Sequence, residues 1–221
     1  MKKILLLLMA VFSLAAMGQS NLKGDYIGEK KNGVPHGKGK MVWFDGKEYD
    51  GEWKNGKRHG KGTMIYRDGR EFVGEWANDN EVKGKETDAD GNVYEGEFYD
   101  GFYHGYGIFT TPDGERYEGE WVEHDPQGKG TKIWPDGTTY TGDWYEGEPH
   151  GKGKMKASNG YTYEGDFVKG AFEGKGTLIW PDGQKYVGQF KNSQPHGYGI
   201  GTSADGKTLF KGQWINGEPV E

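Results

Sequence analysis

The chain has 221 residues, 28 basic against 34 acidic, a formal net charge of −6 and no cysteine. The acidic balance argues against nucleic acid, whose binding is led by Lys and Arg on phosphates, and against attraction to anionic lipid headgroups; without Cys there are neither disulfides nor a thiol nucleophile. Leu, Ile, Val and Phe make roughly 16% of residues, below the ~20% that signals disorder, yet aromatics reach 14%, and each Tyr or Trp buries on the order of 150–250 Å².

Lys2 and Lys3 precede an apolar run from Ile4 to Ala16, followed by small residues. This is the pattern of a bacterial secretory signal, with Ala16 and Gly18 set three and one before a cut. The run is too short to span a bilayer comfortably. Residues 1–18 are therefore expected to be a signal peptide, leaving residues 19–221 as an exported product, periplasmic or extracellular. Cleavage removes Lys2 and Lys3 and moves the net charge from −6 to −8.

From Tyr26 onward the chain repeats about every 23 residues. An aromatic-x-Gly start recurs at Tyr26, Tyr49, Phe72, Tyr94, Tyr117, Tyr140, Tyr163, Tyr186 and Phe210. Each unit is too small to bury a face alone, so units must stack. Within the unit from Tyr49, the residues Tyr49, Gly51 and Trp53 alternate with Asp50, Glu52 and Lys54, a period of two that predicts a half-buried strand. A second strand follows, with Gly60, Gly62, Met64 and Tyr66 alternating against Lys61, Thr63, Ile65 and Arg67. A loop with Asn55-Gly56 lies between the two, and Asp68-Gly69 leads to the next unit; Asp-Gly supplies the positive φ of tight hairpin turns. No helical pattern follows the signal. The expected fold class is all-β: an elongated, single-layer, open antiparallel meander of about seventeen strands, eight full repeats and a terminal half repeat.

Two units depart from the pattern. The third, Phe72 to Val93, is one residue short and lacks the loop Gly and the His-Gly pair, which predicts a kink or an altered loop. The eighth, from Tyr186, is one residue longer. The last stops at Glu221 after one strand, and its polar tail reads as a cap. Lys23, Lys30 and Lys31 guard the first strand edge, while Lys211 and Glu218-Pro219 blunt the last, which predicts a monomer or at most a weak homodimer.

Gly inside a strand normally weakens it. Here Gly-x-Gly recurs in nearly every unit, which predicts aromatic rings from neighbouring strands lying over bare backbone. The opening aromatic and the fifth position of the unit would then form continuous stripes. Tyr49, Trp53, Trp76, Tyr94, Tyr117, Trp121, Tyr140, Trp144, Tyr163, Tyr186 and Trp214 make this stripe, the candidate binding feature, since exposed apolar stripes often mark contact sites.

Tyr49 to Gly62 reads Tyr-x-Gly-x-Trp-x-x-Gly-x-x-His-Gly-x-Gly, and Tyr140 to Gly153 repeats it. These residues resemble the membrane occupation and recognition nexus repeat, MORN, over nearly all of the chain after the signal. The resemblance implies β-hairpins stacked into a sheet, and scaffolds for protein partners or homo-oligomers. Lipid binding has been proposed for some members.

The remaining chemistry reads as structural. Five of six His (His36, His59, His104, His150 and His196) share one place in the unit, about 10 Å apart on successive units, too far to share a zinc ion with ligands at ~2 Å. Gln127 and Glu173 also occupy that place. Paired carboxylates such as Asp50/Glu52 and Glu118/Glu120 recur too often for a glycosidase pair and read as a solvated face. Gly-x-Gly lacks the helix and the Lys-Ser/Thr of a phosphate cradle. We therefore expect no enzyme, no catalytic or metal residues and no cofactor. The expected function is that of an exported scaffold for an unidentified protein partner. The alternative is an envelope-associated module that contacts glycan or lipid through the aromatic stripe.

Overall fold

The computed structural model describes residues 24–220; the expected signal peptide, Lys23 and Glu221 lie outside the described residues. The described chain is all-β and antiparallel, without a helix. It divides into two compact units between Ala89 and Asp90, at the end of the short third repeat.

The first unit contains β1 (Gly24–Lys31), β2 (Val34–Trp43), β3 (Glu48–Lys54), β4 (Lys57–Ile65), β5 (Glu71–Ala77) and β6 (Asn80–Thr87). The second contains β7 (Val93–Tyr99), β8 (Phe102–Thr110), β9 (Arg116–Val122), β10 (Asp125–Ile133), β11 (Thr139–Tyr145), β12 (Glu148–Lys156), β13 (Thr162–Val168), β14 (Ala171–Ile179), β15 (Lys185–Lys191), β16 (Gln194–Thr202), β17 (Thr208–Ile215) and β18 (Glu218–Pro219). Within each unit every strand pairs with its neighbours in sequence, an open meander.

The turns follow their chemistry. Asn55 and Gly56 both take positive φ, 53° and 80°, as a two-residue type I′ loop requires. The short third repeat keeps this loop. Asn78 and Asp79 adopt φ of 53° and 76°, which Asn and Asp tolerate, and Asp79 accepts a hydrogen bond from the Arg58 amide at 2.9 Å. Between repeats, the Asp-Gly turn closes a four-residue loop, in which the Gly46 amide donates to the Trp43 carbonyl at 2.9 Å.

The missing residue of the third repeat is lost from a bulge, not from the loop. In β3–β4 the register runs from Gly51↔Gly62 to Trp53↔Arg58, and in β11–β12 from Gly142↔Gly153 to Asp143↔His150, so the second strand carries two extra residues. In β5–β6 it runs from Glu75↔Lys83 to Trp76↔Glu81, leaving only Val82 extra. The bulge bends the hairpin, and its first residue is a Gly with φ near 60°, as at Gly60 and Gly151. The additional residue of the eighth repeat is Leu209, passed over between Gly201↔Phe210 and Thr202↔Thr208 and exposed.

Successive hairpins also dock tip to strand. The Gly56 amide donates to the Pro35 carbonyl at 2.9 Å, Gly147 to Pro126 at 3.0 Å, and Gly170 to Pro149 at 2.9 Å. Within each unit a repeat thus seats the turn of the next.

Candidate interaction surfaces

The aromatic stripe is the core of each unit. Of the candidate residues, Tyr49, Tyr94, Tyr140, Tyr163 and Tyr186 are fully buried, and Trp53, Trp76, Tyr117, Trp121 and Trp144 keep at most 5% of their surface. Trp214 is half-buried. From Tyr49 on, each opening Tyr sits edge-on between its own fifth-position ring and that of the following repeat. Tyr49 lies 5.1 Å from Trp53 and 5.3 Å from Trp76, Tyr117 4.8 Å from Trp121 and 5.1 Å from Trp144, and Tyr186 5.1 Å from Phe190 and 4.9 Å from Trp214. Edge-to-face pairs of this kind are worth about 0.5–1.5 kcal/mol beyond their burial.

Bent hairpins explain how one layer covers its own rings. One side of each Tyr lies on paired glycines; a Cβ at Gly62 or Gly153 would come within 3.0 Å of the Tyr49 or Tyr140 ring. At Tyr94 and Tyr163 the other side is closed by the second residue of the second strand, a parallel ring at Tyr103 and Phe172, each 3.8 Å from its Tyr. Elsewhere that place holds a buried Pro at Pro35, Pro149 and Pro195, or Arg58, whose guanidinium lies 4.3 Å from the Trp76 ring. Sequence periodicity shows which residues share a face but not this closure. The rings named as a binding stripe are thereby packed rather than presented, and a sugar or acyl chain could reach only Trp214.

The buried hydroxyls are satisfied inside the bulge. Tyr49 Oη donates to the Glu52 carbonyl at 3.0 Å, Tyr140 Oη to the Asp143 carbonyl at 2.8 Å, and Tyr163 Oη to the Asp166 carbonyl at 2.9 Å. Burial pushes these phenols above their ordinary range. Trp53 Nε1 donates to the Gly39 carbonyl at 2.8 Å and Trp121 Nε1 to Gly107 at 3.1 Å, which links successive repeats.

The carboxylates divide into two kinds. Those at the fourth unit position are acceptors for the bulge amide. Lys152 N–H donates to Asp143 at 2.9 Å, Lys175 N–H to Asp166 at 2.8 Å, and Lys129 N–H to Glu120 at 3.1 Å. Asp143 and Asp166 also pair with the Lys129 and Lys152 ammonium groups of the preceding repeat, which holds both carboxyls below their usual range. Those at the second position, among them Asp50, Glu95 and Glu164, stay on the outward face as expected.

At two copies, His36 and Glu173, the shared His place docks the next hairpin. His36 Nδ1 accepts from the Asn55 amide at 3.4 Å, and Glu173 does the same for Asn192 at 2.8 Å. Among the described residues no group of three or more His, Asp or Glu is set to hold a metal ion.

One polar cluster escaped the sequence reading. In the first unit Tyr66 Oη donates to Glu81, Arg70 donates to Glu86 at 2.6 Å, and the Arg70 guanidinium lies 3.9 Å from the Tyr66 ring. Glu81 and Glu86 are both buried. The available signal is that Glu81 stands where most repeats carry Pro or an aromatic.

What remains open to a partner is the outward face, opposite the rings. In the second unit a groove of about 730 Å³ is floored by Gly153, Gly165, Gly176 and Gly188, with Lys152, Glu164, Lys175 and Tyr198 on its walls. In the first unit a smaller one, about 500 Å³, runs over Gly62 and Gly74 between Lys61, Val73, Glu75 and Lys83.

Stacked, ring-over-glycine hairpins with an open outer face define a repeat scaffold. The MORN repeat family model matches eight times, at residues 26–48, 49–69, 72–93, 94–116, 117–139, 140–160, 163–185 and 186–208, and the chain belongs to that family. No curated protein matches the sequence significantly. Solved structures with a similar arrangement include the TCP domain of SAS-4 from Drosophila melanogaster, in complex with a proline-rich motif of Ana2. It is 16% identical, with 70% of this chain and 85% of that one covered and a TM-score of 0.43. Another is the TCP10 domain of Danio rerio CPAP, 15% identical, with 80% and 89% covered and a TM-score of 0.40.

Proposed function

We propose that this protein is an exported, non-enzymatic scaffold that holds a protein partner on the outward faces of its repeats. The carrying observation is the allocation of the rings. Ten of the eleven stripe aromatics are buried, so recognition falls to the opposite face, where shallow grooves are floored by glycine backbone and walled by charged side chains. An open, charged groove suits a polypeptide rather than a small substrate that must be enclosed. The glycan or lipid alternative needs accessible rings, and the stripe offers only Trp214. The MORN family supports a scaffold role, and the Lys2-Lys3 start with its apolar run supports export.

The test is capture from an envelope extract with the tagged full chain, beside a variant carrying Lys152→Glu and Lys175→Glu on the groove wall. A specific protein retained by the first and lost with the second supports the reading. Retention of glycan or lipid alone would replace it. Mass spectrometry of the native protein tests export: residues 1–18 should be absent, and an intact Met1 would overturn that part.

A further inference from the structure

The outward face changes character in the fourth repeat. At the bulge, Lys38, Lys61, Lys129, Lys152 and Lys175 stand in five other repeats; here, as at Tyr198 in the eighth, the place belongs to a Tyr, Tyr106, which is 53% exposed. On the same face, at the hairpin tip, Tyr99 and Phe102 pair across β7–β8 and are 69% and 42% exposed. His104 backs Tyr99 with ring centroids 5.5 Å apart, and His124 backs Phe102 at 5.2 Å. Val122 on β9 extends the apolar surface. Exposed aromatics gathered in this way mark contact sites more often than scattered ones do.

The charge around them selects the partner. Residues 90–125 contain ten Asp and Glu against a single Arg and no Lys, a local net charge of −9 in a chain whose total is −6. Glu95, Glu97, Glu118 and Glu120 share the outward face with the aromatics. Where the Lys129 and Lys152 ammonium groups neutralise Asp143 and Asp166, Tyr106 instead offers a hydroxyl, which donates to Glu118 at 2.6 Å. Arg116 pairs with Glu118 at 2.5 Å, and Lys132 with Glu115 at 2.9 Å. The result is an aromatic surface in a negative field, the combination that attracts Arg and Lys through ring faces and carboxylates together. Anionic lipid and nucleic acid are repelled by the same field.

We propose that the outward face of β7, β8 and β9 docks an extended, Arg- or Lys-containing segment of the partner protein, with Tyr99, Phe102 and Tyr106 stacking on its cationic side chains and the neighbouring glutamates pairing with them. Phe102 to Ile108 spans about 20 Å along β8, room for roughly six extended residues. The proposal deepens the protein-scaffold reading and rests on it.

The test is fluorescence anisotropy of the full chain with a labelled nine-residue peptide of alternating Arg and Ala, beside a peptide of alternating Glu and Ala. Saturable binding of the Arg peptide is expected, weakened at least about five-fold by Tyr99→Ser with Phe102→Ser and likewise by Glu95→Gln with Glu118→Gln. Tyr145→Ser, the place of Tyr99 two repeats later, should leave it unchanged. No saturable binding, equal binding of the Glu peptide, or an aromatic variant that binds as wild type overturns the proposal. Self-association lost in the aromatic variant, or saturable binding of the full chain itself to anionic phospholipid vesicles without peptide, also overturns it by naming another occupant. Should the aromatic pair fail to fold, the glutamine pair decides alone. A partner captured from extract equally well by wild type and both variants would leave the scaffold reading intact and refute this surface.

Discussion

At the scale of single residues, glycine and a buried carboxyl make opposite demands. Gly62 and Gly153 support the Tyr49 and Tyr140 rings so closely that a Cβ would come within 3.0 Å of the ring and something must shift. Gly62→Ala or Gly153→Ala should therefore destabilise by about 1–3 kcal/mol, whereas Ala at a roomy, strand-compatible site would be neutral or mildly stabilising; urea melts that show no loss for either variant would contradict the packing. Glu81 is a different case. Burial raises its carboxyl above the ordinary 4.5, against the Tyr66 hydrogen bond and the positive charges of Arg70 and Arg58, with Glu86 adding repulsion. The folded chain thus holds this proton more tightly than the unfolded chain does, and stability contributed by the protonated form is lost as pH rises from about 4.5 through the raised value. Glu81→Gln should remove that component. The unfolding free energy of the wild type, less that of the variant, should fall between about pH 4 and pH 7; parallel profiles would mean that Glu81 titrates as it does in water.

At the scale of the hairpin, the bulge is the element the sequence conceals. Alternation and turn chemistry made the strands legible: Tyr49, Gly51 and Trp53 do share a face, and Asn55-Gly56 does make the turn. Alternation also places Asp166 outward and suggests a solvated carboxylate. It cannot show that two extra residues in β14 bring the Lys175 amide within 2.8 Å of that carboxylate. The short third repeat was legible as a missing residue, but not as a bulge reduced to Val82, because length alone does not say which part of a hairpin gives way. The outward rings of the fourth repeat were missed for a related reason. Tyr99 and Phe102 lie at positions whose residue type changes from repeat to repeat, so the period drew the reading to the buried stripe. Asp166→Ala should cost about 0.5–1.5 kcal/mol, and Asp166→Asn less, since an amide oxygen can still accept; Gln189 already does so from Tyr198 N–H at 3.0 Å. Equal losses in thermal melts would mean that charge, not the acceptor, matters there.

At the scale of the whole molecule, stability is a sum over neighbours. Each fully buried ring removes on the order of 150–250 Å² from water, about 4–6 kcal/mol at 25 cal/mol per Å² and an upper figure, and each is shared between adjacent repeats. The edges then decide association. Among the described residues β1 pairs only with β2 and carries Lys30 and Lys31, and β17 meets β18 only at Trp214 and Ile215. Such edges are poor templates, so light scattering at micromolar concentration should give about one chain mass, and a dimer that persists on dilution would overturn the edge argument.

The tip-to-strand bonds and the shared rings give the second unit a further property: it is interchangeable along its length. Repeats start at 94, 117, 140, 163 and 186, a constant step of 23 residues. Excising residues 140–162 would bring Phe167 to the face of Tyr117 that Trp144 now occupies, and would set the Lys169-Gly170 turn onto Pro126, each a junction of a kind the chain already makes. The shortened chain should fold cooperatively with a modestly lower melting temperature, and loss of cooperative unfolding in calorimetry would show that the seams are not equivalent. Such a molecule can change length by duplication or loss of a whole period without inventing a new interface, so reach can evolve separately from recognition.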